Sequence, residues 1–418
     1  MPKNPSTPLF PTTRREFLQL SSRGIGLLAF SRFAPAFLVN SALASAPLPE
    51  ADRSILVLVQ LAGGNDGLNT LVPFEDSNYY RLRPTLGLAR ERVLRLSDTH
   101  GLHPSCAAMN GLFHEGKLAI VQNVGYPNPN RSHFRSTEIW ETASSSSEFL
   151  ADGWIGRFMD NACAGRPADA HDPVGIHLSN GVPQSFLSAH DHPTFGLLPG
   201  AGNHRENEEN RRLLESLVSL PGAAENDNAT FLKQTLMDSL VTERKVQQVL
   251  GAYQAAVPYP GSSFAASLRN IAALIASGLP TRVYFVSLSG FDTHSNQANQ
   301  QANLLTTLSS GLAAFQKDLE LHRLDGQVAT MTFSEFGRRP SENQSRGTDH
   351  GTAAPLFVMG SRIKGGLHGT APALNLAHNQ DLTFSTDFRS VYATMLDRWL
   401  DCPSAAVLGS KFADLPIV

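Results

Sequence analysis

Four short apolar runs, each stopping at a glycine-containing polar turn, constrain the fold of this chain more than any other feature. They are Ser54–Leu61, Leu118–Val124, Thr281–Leu288 and Gln327–Phe333, and Pro355–Met359 is a shorter fifth. Continuous apolar runs of this length, rich in β-branched residues, read as strands buried on both faces. Helical periods lie between them, at Phe264–Gly278, Gln297–Leu321 and Asp387–Leu400. Strands alternating with helices predict an α/β fold, a three-layer αβα sandwich around a largely parallel sheet. The stretch from about 190 to 260 is polar and helix-prone, with a helix expected over Thr230–Ala255 capped by Thr230. It reads as a cap or insertion on that domain.

In such sheets ligands bind at the carboxyl ends of the strands. The first run delivers Asn65 and Asp66, the third Asp292 and His294, and the fourth Glu335 and Arg338. The second is followed by Arg131, Ser132, His133 and Arg135, and His350 enters just before the fifth. Carboxylates and imidazoles gathered at one edge suit a divalent metal, with histidine nitrogen favouring Zn, Mn or Fe over Ca. Asp66, Asp292, His294, Glu335 and His350 are the expected ligands, for one ion or for two. Ser132 is the candidate nucleophile. Arginine could hold anionic oxygens in pairs, with Arg338 assigned to the reacting centre. Asn65, Arg131, His133 and Arg135 are the expected substrate contacts. Taken singly, each residue has a plainer role. Asp66 could cap a turn, Glu335 and Arg338 could pair with each other, and Ser132 could be a turn residue. Their convergence carries the expectation. His103, His114, His171, His177 and His368 are read as structural.

The segments LAGGNDGLNTLVP (61–73), PNPNRSHFRSTEIWE (127–141), SGFDTHSNQ (289–297), TFSEFGR (332–338) and GTDHGTAAPLFVMG (347–360) resemble a family of exported bacterial proteins of unknown function. That family belongs to the alkaline phosphatase/sulfatase superfamily. The resemblance implies an αβα sandwich, usually two metals, and hydrolysis of phosphate or sulfate esters. It matches Asp66 to an early metal ligand, Ser132 to the nucleophile, Asp292 and His294 to later ligands, and His350 to the last. The chain departs from that pattern in three places. One residue, Thr293, separates Asp292 from His294 where three are usual. Glu335-Phe336 stands where an Asp-His pair is usual, so His133 is the imidazole available to substitute. A Cys/Ser-x-Pro-x-Arg signature is missing. A non-catalytic binding or assembly protein on the same fold is the alternative. The turn Ala62–Gly67 lacks the G-x-G-x-x-G spacing of a dinucleotide site.

Thr13-Arg14-Arg15-Glu16-Phe17-Leu18 precedes a short apolar stretch and Ala42-Leu43-Ala44. This predicts a twin-arginine export signal over residues 1–46, engaging that translocation machinery and leading to the periplasm or beyond. The stretch is too short and interrupted for a membrane span. The 418 residues hold 34 Lys and Arg against 37 Asp and Glu. Five of the basic residues but one acidic residue fall in the signal segment, so the remainder is acidic, which disfavours nucleic acid as a partner. An anionic small molecule or a glycan ester is the expected ligand. The three cysteines, Cys106, Cys163 and Cys402, allow at most one internal disulfide.

Overall fold

A computed structural model describes residues 54–163, 173–190, 192, 194–198, 246–279 and 281–418. The signal segment lies outside the described residues, as do most of the expected cap and the start of its helix. The five strands read from sequence are present: β1 (Ile55–Ala62), β2 (Leu118–Gly125), β5 (Val283–Ser289), β6 (Val328–Phe333) and β7 (Ala354–Met359). The short strands β3 (Gly175–Leu178), β4 (Thr194–Leu197), β8 (Gly366–His368) and β9 (Thr386–Asp387) complete a nine-stranded sheet among the described residues. Its order is β8-β2-β7-β6-β1-β5-β3-β4, with β9 beside β2. β4 falls inside the stretch assigned to the cap and is an edge strand of the main sheet.

β1 runs parallel to both β5 and β6, and β3 runs parallel to β4 and β5. β7 alone is reversed, antiparallel to β2 and β6. A parallel connection needs a crossover, usually helical. Between β6 and β7 the chain forms no helix and stays at one edge, so the strand after it runs back.

β1 shows why the sheet is covered on both sides. Ile55, Val57, Val59 and Leu61 pack into one core with helices α1 (Ala107–His114), α4 (Ser263–Ala276) and α5 (Gln297–Leu321). Leu56 and Leu58 face the opposite core, with α2 (His133–Thr142), α3 (Trp154–Cys163) and α6 (Phe388–Thr394). Side chains alternate across a strand, so an all-apolar strand demands two cores. The α4 helix begins where Ser262 accepts a hydrogen bond from the Ala265 amide, the expected N-cap chemistry. Among the described residues no helix is long and apolar enough to cross a membrane. Cys106 and Cys402 are buried free thiols.

Candidate metal centre

β1, β5 and β6 end side by side, and the loops beyond them make a polar lip. The loop from β1 carries Gly63 at a φ of 118°, and its amide donates to Glu335 Oε1 at 2.8 Å. A Cβ on Gly63 would lie 2.4 Å from the Asp292 amide nitrogen, so this position needs glycine for close approach as well as for its left-handed backbone. Gly347 is equally tight, since a Cβ there would stand 2.2 Å from the His294 carbonyl carbon. Thr348 N donates to Thr293 O at 3.1 Å, locking the two histidine-bearing loops together.

Four side chains converge above this lip. His294 Nε2 and His350 Nε2 lie 2.9 Å apart, and each is 3.1 Å from Asp292 Oδ1. His133 Nε2 lies 3.6 Å from Asp292 Oδ2. His133, Asp292 and His350 each offer a ligand atom within 4.8 Å of the others.

The other nitrogen of each ring explains what this convergence means. His350 Nδ1 meets the Arg131 carbonyl at 2.8 Å, His133 Nδ1 meets Glu335 Oε1 at 2.9 Å, and His294 Nδ1 meets Asp349 Oδ1 at 3.4 Å. A carbonyl or carboxylate only accepts, so each Nδ1 carries the proton. In the neutral rings the Nε2 lone pairs then point, unprotonated, at one another and at a carboxylate. Burial pushes the His350 imidazole down from its ordinary value, further than the Arg131 carbonyl and the Asp292 carboxylate, which favour its charged form, raise it. Burial would raise the Asp292 carboxyl, but the hydrogen bond from the Arg338 guanidinium, with the His350 and His294 rings beside it, brings it down to about 2. Acceptors gathered this closely suit a cation between them. Tetrahedral ligands ~2.0–2.1 Å from a common centre stand about 3.3 Å apart, near the 2.9–3.1 Å among His294, His350 and Asp292 Oδ1, with His133 3.6 Å from the other Asp292 oxygen. Metal-bound histidines characteristically give their second nitrogen to a carboxylate or carbonyl. The donor set therefore fits one divalent ion.

The remaining expected residues are placed differently. Asp66 is fully buried and forms a two-pronged ion pair with Arg83, at 2.6 and 2.8 Å. Gln297 Nε2 donates to one of the same oxygens, so the structure sets Asp66 into a buried network and does not bring it to the cluster. Asn65 is also buried, its side chain bonded to Thr70 and Gln301. Glu335 is 2% exposed and reaches the cluster through His133. It does not pair with Arg338. That guanidinium is buried below the lip, where it donates to the carbonyls of Gly63, Gly64, Phe291 and Thr348 and to Asp292 Oδ1. Arg338 thus faces backbone and Asp292 rather than open solvent. Arg131 pairs with Asp381 at 3.0 Å, and Arg135 with Glu138 at 2.8 Å. Ser132 is exposed at the N-cap of α2, and its side chain makes no capping bond.

Three supporting residues escaped the sequence reading. Asp349 holds His294, and its neighbour His350 was the available signal. Phe336 packs against the rings of His133 and His350, with centroids at 4.9 and 4.6 Å. The Glu335-Phe336 pair therefore supplies a carboxylate and an apolar wall to His133. Arg83 had no local signal, because its role exists only against Asp66.

Comparisons with solved structures give distant likenesses. The crystal structure of Ps i-CgsB is 9% identical, over 86% of this chain and 73% of that one, with a TM-score of 0.39. The C-terminal periplasmic domain of EcEptC from Escherichia coli is 11% identical, over 76% and 75%, at 0.35. A protein of the alkaline phosphatase superfamily from Vibrio parahaemolyticus is 8% identical, over 79% and 69%, also at 0.35. No curated protein matches the chain. A family model described as a protein of unknown function, DUF1501, matches residues 53–400, and the chain belongs to that family.

Proposed function

We propose that this protein is an exported, metal-dependent hydrolase of phosphate or sulfate esters, built on one metal site formed by His133, Asp292, His294 and His350. The observation that carries the reading is the convergence of three Nδ1-protonated imidazoles, Nε2 foremost, on one carboxylate. A divalent ion held there supplies Lewis-acid polarisation of an ester oxygen. Glu335 and Asp349 fix the tautomer and orientation of His133 and His294, and Phe336 packs against the rings of His133 and His350. The carboxylates of Asp292, Glu335 and Asp349 concentrate negative charge at the cluster, which a divalent cation would offset.

The N-terminus of α2 begins at His133 itself. Its first-turn amides are not capped by Ser132 and suit an anionic oxygen. Ser132 stands at that terminus as an exposed hydroxyl next in sequence to His133. The expected second ion loses its early ligand, because Asp66 is committed to Arg83. The same loss favours the second reading, a non-catalytic anion-binding protein on this fold.

Metal analysis of purified protein tests the site. The expected result is about one transition-metal ion per chain, lost in His133→Ala and Asp292→Ala. A folded wild-type protein carrying no metal after growth in metal-replete medium would sink the proposal. Turnover of phosphate or sulfate esters, abolished in the same variants, separates the hydrolase from the binding protein. Export is tested by replacing Arg14 and Arg15 with lysine, which should retain the precursor in the cytoplasm.

A further inference from the structure

One side chain closes the turn that leads into His350. Asn343 Oδ1 accepts from the Ser345 amide at 2.9 Å and from the Gly347 amide at 3.1 Å. The Asn343 backbone amide donates to the Gly347 carbonyl at 2.9 Å. The turn lies against the loop that carries His294. Its Ser345 and Arg346 carbonyls accept from the Asn296 and Gln297 amides at 3.0 and 2.9 Å. The other end of the Asn343 side chain faces the cluster. Nδ2 donates to the His294 carbonyl at 3.0 Å and to Asp349 Oδ1 at 3.0 Å. That oxygen is the one that meets His294 Nδ1. Asn343 therefore grips His294 twice, by its backbone and through the partner of its ring. The contacts also dictate the residue type. Two amides need an acceptor, a carbonyl and a carboxylate need a donor, and a primary amide offers both ends in only one orientation.

We infer that Asn343 is a positioning residue for the metal centre, holding the His294 backbone and Asp349 together so that His294 Nε2 is aimed at the ion. The inference rests on the metal site proposed above and adds to it a residue that touches no ion.

Cobalt(II) titration of the purified protein, freed of metal with dipicolinate, tests it. Asn343→Asp keeps an acceptor for the Ser345 and Gly347 amides and loses the donor. A residue that merely closed the turn would then leave cobalt affinity unchanged, and the added negative charge by itself would tighten binding. Positioning predicts the opposite sign, a Kd raised about 10- to 100-fold, the range that partners of metal ligands give. The visible spectrum of the bound cobalt should change with it, because that spectrum reports ligand geometry. Unchanged or tighter binding by folded Asn343→Asp overturns the inference. Should that variant fail to fold, Asn343→Leu replaces it, titrated with and without Asp349→Ala. The two losses should be non-additive, since both act on His294, and full additivity overturns the inference. Wild-type protein that takes up no cobalt refutes the metal centre itself. Cobalt held equally by wild type and Asn343→Asp refutes the positioning role alone, so the two failures are separable.

Discussion

Asp66 and Asp292 follow neighbouring strands and glycine turns, yet their surroundings give them opposite roles. Asp66 meets Arg83 and Gln297 in the interior, whereas Asp292 meets three imidazoles at the surface. Removing one partner of a buried pair leaves the other charge uncompensated, at a cost of about 3–5 kcal/mol. Asp66→Asn should therefore lower unfolding free energy by that amount in denaturant titrations, while the folded fraction keeps its full metal content. A loss of metal without a loss of stability would reverse the assignment. Asp292 behaves differently with pH. Its folded value of about 2 lies below the 3.8 of an unperturbed aspartate. Its contribution is thus present above about pH 4 and disappears as pH falls towards 2. In sequence the two aspartates looked alike, because what separates them is Arg83 and Gln297, brought in by the fold.

At the scale of elements, α2 joins the candidate site to a buried acid. It opens with His133 and closes near Glu141, whose Oε2 accepts from the Ser185 amide at 3.2 Å. Burial pushes the Glu141 carboxyl up to about 7, more than those backbone hydrogen bonds lower it. A raised folded value means the native state binds the extra proton, so this group's contribution is complete below about 4.5 and lost as pH rises to 7. The slope should reach at most about 1.4 kcal/mol per pH unit. Glu141→Gln should flatten that part of the stability-pH curve, measured by urea unfolding at pH 5 and 7.5. Gly63→Ala tests the lip itself. Its Cβ has no room beside Asp292, so metal affinity and melting temperature should fall together. The long strands were legible because their runs are apolar throughout. The short strands β3, β4, β8 and β9 were not, being too brief to show a period. The reversal of β7 was hidden too, since direction depends on a connection rather than on the strand's own residues.

For the whole molecule, stability and the candidate site are largely separable. Two apolar cores flank the sheet, and the cluster lies at its edge with Asp292 and His294 half exposed. Stripping metal with dipicolinate should leave far-UV circular dichroism unchanged and lower the unfolding free energy by the linkage term alone, about 3–4 kcal/mol at most for ligand at 100–1,000 times Kd. Collapse of secondary structure would mean that the ion holds the fold together. The Arg338 guanidinium ties the loops of Gly63, Phe291 and Thr348, contacts separated by up to 275 positions along the chain. A nascent polypeptide that has emerged only as far as His294 already bears an aspartate and two of the histidines. It still lacks His350 and the clamp that sets their spacing, so the cluster takes shape only after most of the chain has been made.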